Sequence, residues 1–208
     1  MRQTGASKMR RLTLILLFLS LPGCFTSGKR GTEKGLAIYD MGAPPTPLLV
    51  LRPSPLALEV RAPLWMDGLG VNYRLAYADP TRLREYSMVR WAGPPAQLMQ
   101  QRLSQLLALT TAGQGRARCL VRIEVSELSQ VFSSPDFSRG VLQGRAYWLD
   151  QSRRQLAERV VDIEIAANTV NSSGGITALQ AVVGQLATDL QGWEQQLQKS
   201  GKLAGCSA

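Results

Sequence analysis

An apolar repeat near the C-terminal end of the chain constrains the fold more than any other feature. Apolar side chains recur there at alternating spacings of three and four residues, at Ile176, Leu179, Val183, Leu186, Leu190, Trp193 and Leu197. This spacing predicts a long amphipathic helix that must bury one face. We expect the face to pack on a sheet of the same chain. The alternative is a coiled coil with another helix, which normally needs three or four heptads.

Seven segments that precede this helix are predicted to be strands, and in most of them apolar and polar residues alternate with the period of a β-strand. They are residues 36–39, 56–61, 71–76, 82–86, 119–132, 141–149 and 156–165. The last three follow one another closely and predict an antiparallel meander. Val160 and Val161 are adjacent apolar residues, which predicts a bulge there. A shorter helix is expected after Pro94 and Pro95.

The N-terminus reads as a targeting segment. Four basic residues within 2–11 precede an apolar run at 12–21, which is too short for a bilayer that needs about 20 residues and is typical of a signal peptide. Leu21 and Gly23 then precede Cys24 as in a bacterial lipobox. We expect cleavage between Gly23 and Cys24, and palmitate-type lipidation of Cys24. The alternative is an ordinary secretory signal with an incidental cysteine.

Charge and composition exclude several classes of function. The 208 residues contain no histidine, which excludes histidine-based triads and histidine-ligated metals. Residues 1–23 hold four of the nine net positive charges, so the basicity gives little support for nucleic-acid binding. Gly174 and Gly175 lack the lysine of a phosphate-binding loop. We therefore expect no enzymatic activity, no metal and no cofactor.

The sequence after Cys24 divides into three parts. Residues 24–47 end in a proline-rich stretch and are predicted to be a stiff tether with a reach of about 70 Å at about 3.1 Å per residue. Residues 48–200 are predicted to form one domain, and residues 201–208 a tail. Phe25 stands where an aspartate commonly signals inner-membrane retention. We therefore expect a lipid anchor in the outer membrane and a domain that faces the periplasm.

Several side chains are candidates for chemistry or contact. Asp162 and Glu164 share a strand face and could act as a carboxylate pair, although a solvated face explains them as well. Trp65 and Met66, in the loop after Pro63, are predicted partner contacts. Two larger sets could meet lipid, although surface charge and core packing explain them as well. They are the arginines Arg139, Arg145, Arg153, Arg154 and Arg159, and the tryptophans Trp65, Trp91, Trp148 and Trp193.

The two remaining cysteines are predicted to pair. Lipidation uses Cys24, and the oxidising periplasm permits a disulfide between Cys119 and Cys206. Cys119 lies on the apolar face of a predicted strand, while Cys206 lies in a glycine-containing tail that can fold back. The alternative is a buried free thiol at Cys119 and a frayed tail.

The order of local strings resembles a known family. The strings are residues 71–75, 86–95, 119–125, 129–132 and 156–159, with Gly174 and Gly175 at the start of the last helix. Together they are similar to the ABC-type transport auxiliary lipoproteins, the PqiC-like (paraquat-inducible protein C) group, over about residues 36–199. The resemblance implies an α+β fold in which two helices pack against one mostly antiparallel sheet.

The same resemblance implies an accessory role without catalysis in an MCE-type lipid transport system. The implied partners are an MCE-domain protein and an ABC permease with its ATPase. Two further partners remain open, namely phospholipid and a second copy of the chain. Only Cys24 carries over as a functional residue. One alternative function is an outer-membrane assembly or secretion-pilot lipoprotein, which would have the same lipoprotein signal and tether. Another is a periplasmic enzyme, which the composition disfavours.

Overall fold

The computed structural model describes residues 35–43, 56–113 and 117–206 of the chain. These residues form eight strands and two helices that belong to one unit. The strands are β1 Ala37–Tyr39, β2 Leu56–Arg61, β3 Gly70–Leu75, β4 Leu83–Trp91, β5 Thr110–Thr111, β6 Cys119–Ser134, β7 Phe137–Asp150 and β8 Gln155–Ala166. The helices are α1 Pro95–Leu107 and α2 Ser172–Lys199.

The long strand β6 organises a single sheet. On one side it pairs along its length with β7, which pairs with β8, and both ladders are antiparallel as the meander predicts. On the other side, two strands share its edge in parallel, β2 along the first half and β3 near the end. Strand β4 pairs antiparallel with β3, β1 lies parallel at the edge of β4, and β5 lies parallel beside β2. The long ladders make the sheet mostly antiparallel, and the predicted α+β class is confirmed.

Both helices pack on one face of this sheet. All seven residues of the apolar repeat are buried in the same core as the inward side chains of β6 and β7. The expectation that this helix packs on its own sheet is therefore confirmed, and the coiled-coil alternative is wrong because the stripe is already occupied. On α1, Met99, Leu103 and Leu107 are buried in the same way.

Two glycines let α2 approach the sheet closely. A Cβ at Gly140 would lie 2.8 Å from the carbonyl carbon of Ala178 in α2. A Cβ at Gly175 would lie 1.8 Å from Oε1 of Gln130 in β6. Since neither position has room for a side chain, both close approaches require glycine.

The predicted domain boundaries need correction at both ends. Strand β1 pairs with β4, Met41 is buried, and the Gln180 side chain donates a 2.8 Å hydrogen bond to the carbonyl of Asp40. Residues 35–43 therefore belong to the folded unit, and the tether predicted over residues 24–47 is too long. The predicted tail is also packed, because Leu203 is buried.

The predicted bulge at Val160 and Val161 is wrong. Both residues pair with β7 in regular register, opposite Arg145 and Gly144, and the irregularity of this ladder lies at Trp148 instead. Val161 faces the helices, whereas Val160 faces solvent with 63% of its surface exposed. The alternation of inward and outward side chains therefore continues through Val160 and Val161, and Val160 is an exposed apolar residue.

The predicted signal peptide, the cleavage site after Gly23 and the lipidation site Cys24 lie outside the described residues. Within the described part of the chain, neither helix is both long and apolar enough to cross a membrane.

Candidate functional site

The sheet face opposite the helices, which we call the open face, carries most of the charged side chains predicted as candidates. It is formed by Glu59 and Arg61 of β2, Arg122 and Glu124 of β6, Arg139, Gln143, Arg145 and Tyr147 of β7, and Glu158, Val160, Asp162 and Glu164 of β8. These residues alternate along their strands with the buried ones that face the helices, so the period of two separates the core from this surface.

Asp162 and Glu164 share the open face, as the sequence predicts, but each contacts a neighbour on β7. The Gln143 amide donates a 3.1 Å hydrogen bond to Asp162, and Arg139 lies 3.2 Å from Glu164. Contacts of this kind between neighbouring strands stabilise a solvated sheet face. The two carboxylates are therefore held by their neighbours and do not converge on a cleft.

The five candidate arginines also contact acceptors within the chain. Arg145 forms an ion pair with Glu158, and Arg154 lies 3.1 Å from Asp150. Arg159 lies on the helix side of the sheet, opposite Ala146, and donates to the backbone carbonyl of Asp189 in α2 at 3.4 Å. The ion pairs on the open face are exposed and individually contribute little to stability.

A cluster around Glu59 carries excess positive charge. Arg122 and Arg61 each donate to its carboxylate at 2.8 Å, and Arg153 lies 3.6 Å away. Burial alone would raise the pKa of the Glu59 carboxyl, but the hydrogen bonds from Arg122 and Arg61 outweigh this effect and hold the pKa below its usual value. Three guanidinium groups around one carboxylate give the cluster a net charge of +2, which Glu124, opposite Arg61 on the same face, reduces to +1.

Beside this cluster lies a hollow of about 400 Å³, lined by Arg61, Ala62, Pro63, Glu124, Val125, Ser126, Gly144 and Arg145. It forms where β2 ends before Pro63 and where the register of β6 shifts after Val125. Gly144 contributes no side chain, because a Cβ there would lie 2.1 Å from the carbonyl oxygen of Glu124. Both arginines at its rim are already ion-paired, Arg61 with Glu59 and Arg145 with Glu158, so the hollow has a polar rim of mixed charge.

The chain leaves the hollow through a short 3₁₀ turn, Leu64–Met66, that exposes apolar surface. Trp65 is 51% exposed, as a contact residue should be, and Leu64 is 86% exposed. Met66 is only 3% exposed and packs in the core, so its prediction as a partner contact is wrong. Which of the three apolar residues points inward depends on how this single turn is rotated against the core. A segment of three residues is too short for its sequence to show that rotation.

The other tryptophans are core residues. Trp91, Trp148 and Trp193 are buried, and the rings of Trp148 and Trp193 pack edge to face with centroids 6.3 Å apart. A lipid-binding site formed by all four tryptophans is therefore wrong, and only Trp65 presents a large exposed area.

Cys119 and Cys206 form a disulfide with 5.3 Å between their Cα atoms. Cys119 begins β6 and is buried, and Cys206 ends a 3₁₀ turn that follows α2. The bond joins the central strand to the C-terminal tail, which is the pairing that the sequence predicts, and the tail is therefore not frayed.

A buried polar cluster was missed by the sequence reasoning. The fully buried Gln130 amide donates to the Ser138 hydroxyl at 2.7 Å and accepts from the Tyr86 hydroxyl at 2.8 Å. Burial raises the pKa of Tyr86 to about 12, and the nearby Tyr73 adds to the shift. The only sequence signal is Gly175, which leaves the space that Gln130 fills. The cluster lies against the start of α2, where Gly175 approaches the Gln130 side chain.

No group of three potential metal ligands from cysteine, aspartate and glutamate occurs among the residues that the structure describes.

The fold is similar to solved structures. One is the crystal structure of protein XCC0632 from Xanthomonas campestris, described as belonging to family DUF330, with 18% identity and a TM-score of 0.63. That similarity covers 78% of this chain and 99% of the other. A second is the crystal structure of an uncharacterized protein, with 16% identity, a TM-score of 0.59, and coverage of 75% of this chain and 96% of the other. At these identities the likeness shows the fold alone. No family model and no curated protein matches the sequence.

Proposed function

We propose that this chain is an outer-membrane lipoprotein and an accessory, non-catalytic component of an MCE-type ABC lipid transport system. The observation that carries the proposal is the shared fold with a DUF330 protein over 99% of that protein's length, because DUF330 is the PqiC-like family. The ordered sequence strings resemble the same group independently of the fold.

The N-terminal sequence supports a lipid anchor at Cys24. A basic segment, an apolar run and a lipobox-like Leu21–Cys24 sequence occur in the order that lipoprotein signals require. Such an anchor holds the domain on the periplasmic side of the outer membrane. There it contacts an MCE-domain protein whose own system includes the ABC permease and ATPase.

The exposed turn at Leu64 and Trp65, together with the adjacent hollow, is the proposed contact surface for the MCE-domain protein. An exposed tryptophan near arginines matches the composition of protein-binding hot spots, in which tryptophan and arginine are enriched. The mixed-charge rim of Arg61, Glu124 and Arg145 would add selectivity for a partner of complementary charge.

Metabolic labelling with a radioactive fatty acid tests the anchor. Cys24→Ala should abolish labelling and release the protein from membranes. Cys206→Ser is the matched control, since it also replaces one cysteine and should remain labelled. Labelling that persists in Cys24→Ala would contradict the lipid anchor.

Affinity purification from detergent-solubilised membranes tests the partner. Wild-type protein should recover an MCE-domain protein, and Trp65→Ala should recover much less while folding normally. Phe137→Ala is the control, because it also truncates an exposed aromatic residue, in this case at the turn between β6 and β7. Recovery of an outer-membrane assembly or secretion component in place of the MCE protein would favour the assembly or pilot alternative and overturn the proposal.

A further inference from the structure

We propose that the sheet edge formed by β1 and β4 is the surface that the domain lays against the membrane carrying its lipid anchor. This inference rests on the lipid anchor of the proposed function and adds an orientation for the domain. The relevant surface, which we call the β1 patch, consists of Leu36, Ile38, Met88 and Arg90.

The register of β1 and β4 places these side chains together. Ile38 lies opposite Arg90 in the parallel ladder, and Leu36 and Met88 each precede these residues by two. Because side chains alternate along a strand, all four face the same side. Ala37 and Tyr39 face the other side and pack against the core.

The apolar members of the β1 patch are about half to two-thirds exposed. Leu36 is 49%, Ile38 66% and Met88 51% exposed. An exposed apolar surface beside an arginine has the composition of a surface that rests in a membrane interface, where apolar side chains enter and basic ones meet anionic headgroups.

Strand β1 is held firmly, so the patch keeps its shape. The Ala92 amide donates to the Tyr39 carbonyl at 2.7 Å, and the next residues are anchored through buried Met41 and the Gln180 hydrogen bond to Asp40. The patch is therefore a fixed part of the sheet.

The length of the linker limits how far the β1 patch can lie from the anchored residue. Eleven residues separate Cys24 from Leu36. At the maximum rise of an extended chain the patch can lie no more than about 40 Å from the anchored residue. This linker contains Lys29, Arg30 and Lys34 against the single acidic Glu33. Its positive charge favours an anionic lipid surface.

Methyl NMR of the lipidated full-length protein tests this orientation. The protein would be placed in nanodiscs of phosphatidylethanolamine and phosphatidylglycerol that contain a small fraction of headgroup spin-labelled lipid. We expect the methyl signals of Leu36, Ile38 and Met88 to lose intensity strongly. Those of Val160, which is equally exposed on β8 at the other edge of the sheet, should be retained.

Matched variants decide whether the patch itself makes the contact. In the double variant Ile38→Asp and Met88→Asp, we expect the Leu36 methyl signals to recover intensity. In Val160→Asp they should stay broadened. Lipidated protein that broadens uniformly, or most strongly at Leu64, would overturn this inference and leave the proposed function intact. Absence of fatty acid on Cys24 would overturn both.

Discussion

The two faces of the sheet differ along strand β7. On the face that packs against the helices, which we call the covered face, Leu142, Ala146 and Trp148 are buried. The residues between them, Gln143, Arg145 and Tyr147, lie on the open face. The same strand thus supplies both a close-packed core and a charged surface. On the covered face, α2 packs so closely that there is no room even for a Cβ at Gly140. On the open face, side chains of adjacent strands form exposed ion pairs and line a hollow.

Stability and recognition are therefore encoded on different faces of the sheet. Close packing makes every atom on the covered face contribute to folding. The solvated, ion-paired side chains of the open face can change without loss of the fold, since exposed ion pairs contribute little. Substitutions should therefore affect folding on one face and binding on the other.

The largest effect is expected for a truncation on the covered face. Leu179 is fully buried in α2, and Leu179→Ala should lower the free energy of unfolding by about 3 to 5 kcal/mol through lost burial and a cavity. Val160→Ala on the open face should change it by less than about 0.5 kcal/mol. Denaturant titration measures both. Equal losses in the two variants would contradict a difference in packing between the two faces.

The disulfide should contribute the next largest effect. Cys206→Ser should destabilise the domain by about 2 to 4 kcal/mol, because the bond closes a long loop and restricts the unfolded chain; the two cysteines are 87 residues apart. Reductant should remove the difference between wild type and variant. Two free thiols in the denatured, unreduced wild-type protein would contradict the pairing.

The buried polar cluster should give a smaller, pH-dependent effect. Tyr86→Phe leaves Oε1 of Gln130 without its donor and should cost about 1 to 3 kcal/mol. The raised pKa of Tyr86, about 12, means that its neutral phenol stabilises the folded state. That stability is complete below the usual value of 10.0 and is lost as the pH rises from there to about 12.

Unfolding measured at several alkaline pH values checks this prediction. The decline should be shallower in Tyr86→Phe than in Tyr77→Phe, since Tyr77 is an exposed tyrosine. Equal declines in the two variants would show that Tyr86 does not titrate as the burial implies.

The smallest effect is expected at Glu59 on the open face. Glu59→Gln should lower stability at neutral pH by about 0.2 to 1 kcal/mol, the range of exposed ion pairs. Because the folded-state pKa of Glu59 is lowered from 4.5, the carboxylate stabilises the folded state above that pH. The difference between variant and wild type should shrink as the pH falls below 4.5, and a constant difference down to strongly acidic pH would contradict this account.

The sequence was sufficient for elements whose burial follows a long regular pattern. The apolar repeat in α2 and the alternation in β6, β7 and β8 predicted these elements and their buried faces, because each pattern extends over many residues. The class of fold followed from their order and from the family resemblance.

The sequence was not sufficient where the outcome depends on distant contacts. The parallel pairing of β2 and β3 with β6 joins strands far apart in the chain, and no local pattern encodes it. Met66 is buried and Trp65 exposed because of the phase of one 3₁₀ turn. Gln130 looks like a surface residue until Tyr86 and Ser138 satisfy its amide. The pairing of β2 with β6 shapes the hollow, the 3₁₀ turn sets the exposed apolar surface beside it, and Gln130 lies against the start of α2.

Site-specific photo-cross-linking in intact cells tests whether the turn at Trp65 contacts an MCE-domain protein. A photoreactive amino acid would replace Trp65 beside the hollow in one strain and the exposed Phe137, at the turn between β6 and β7, in another. We expect a cross-link from position 65 to an MCE-domain protein and none from position 137. Absence of any cross-link to an MCE-domain protein from position 65, or an equally strong one from position 137, would contradict the proposed function.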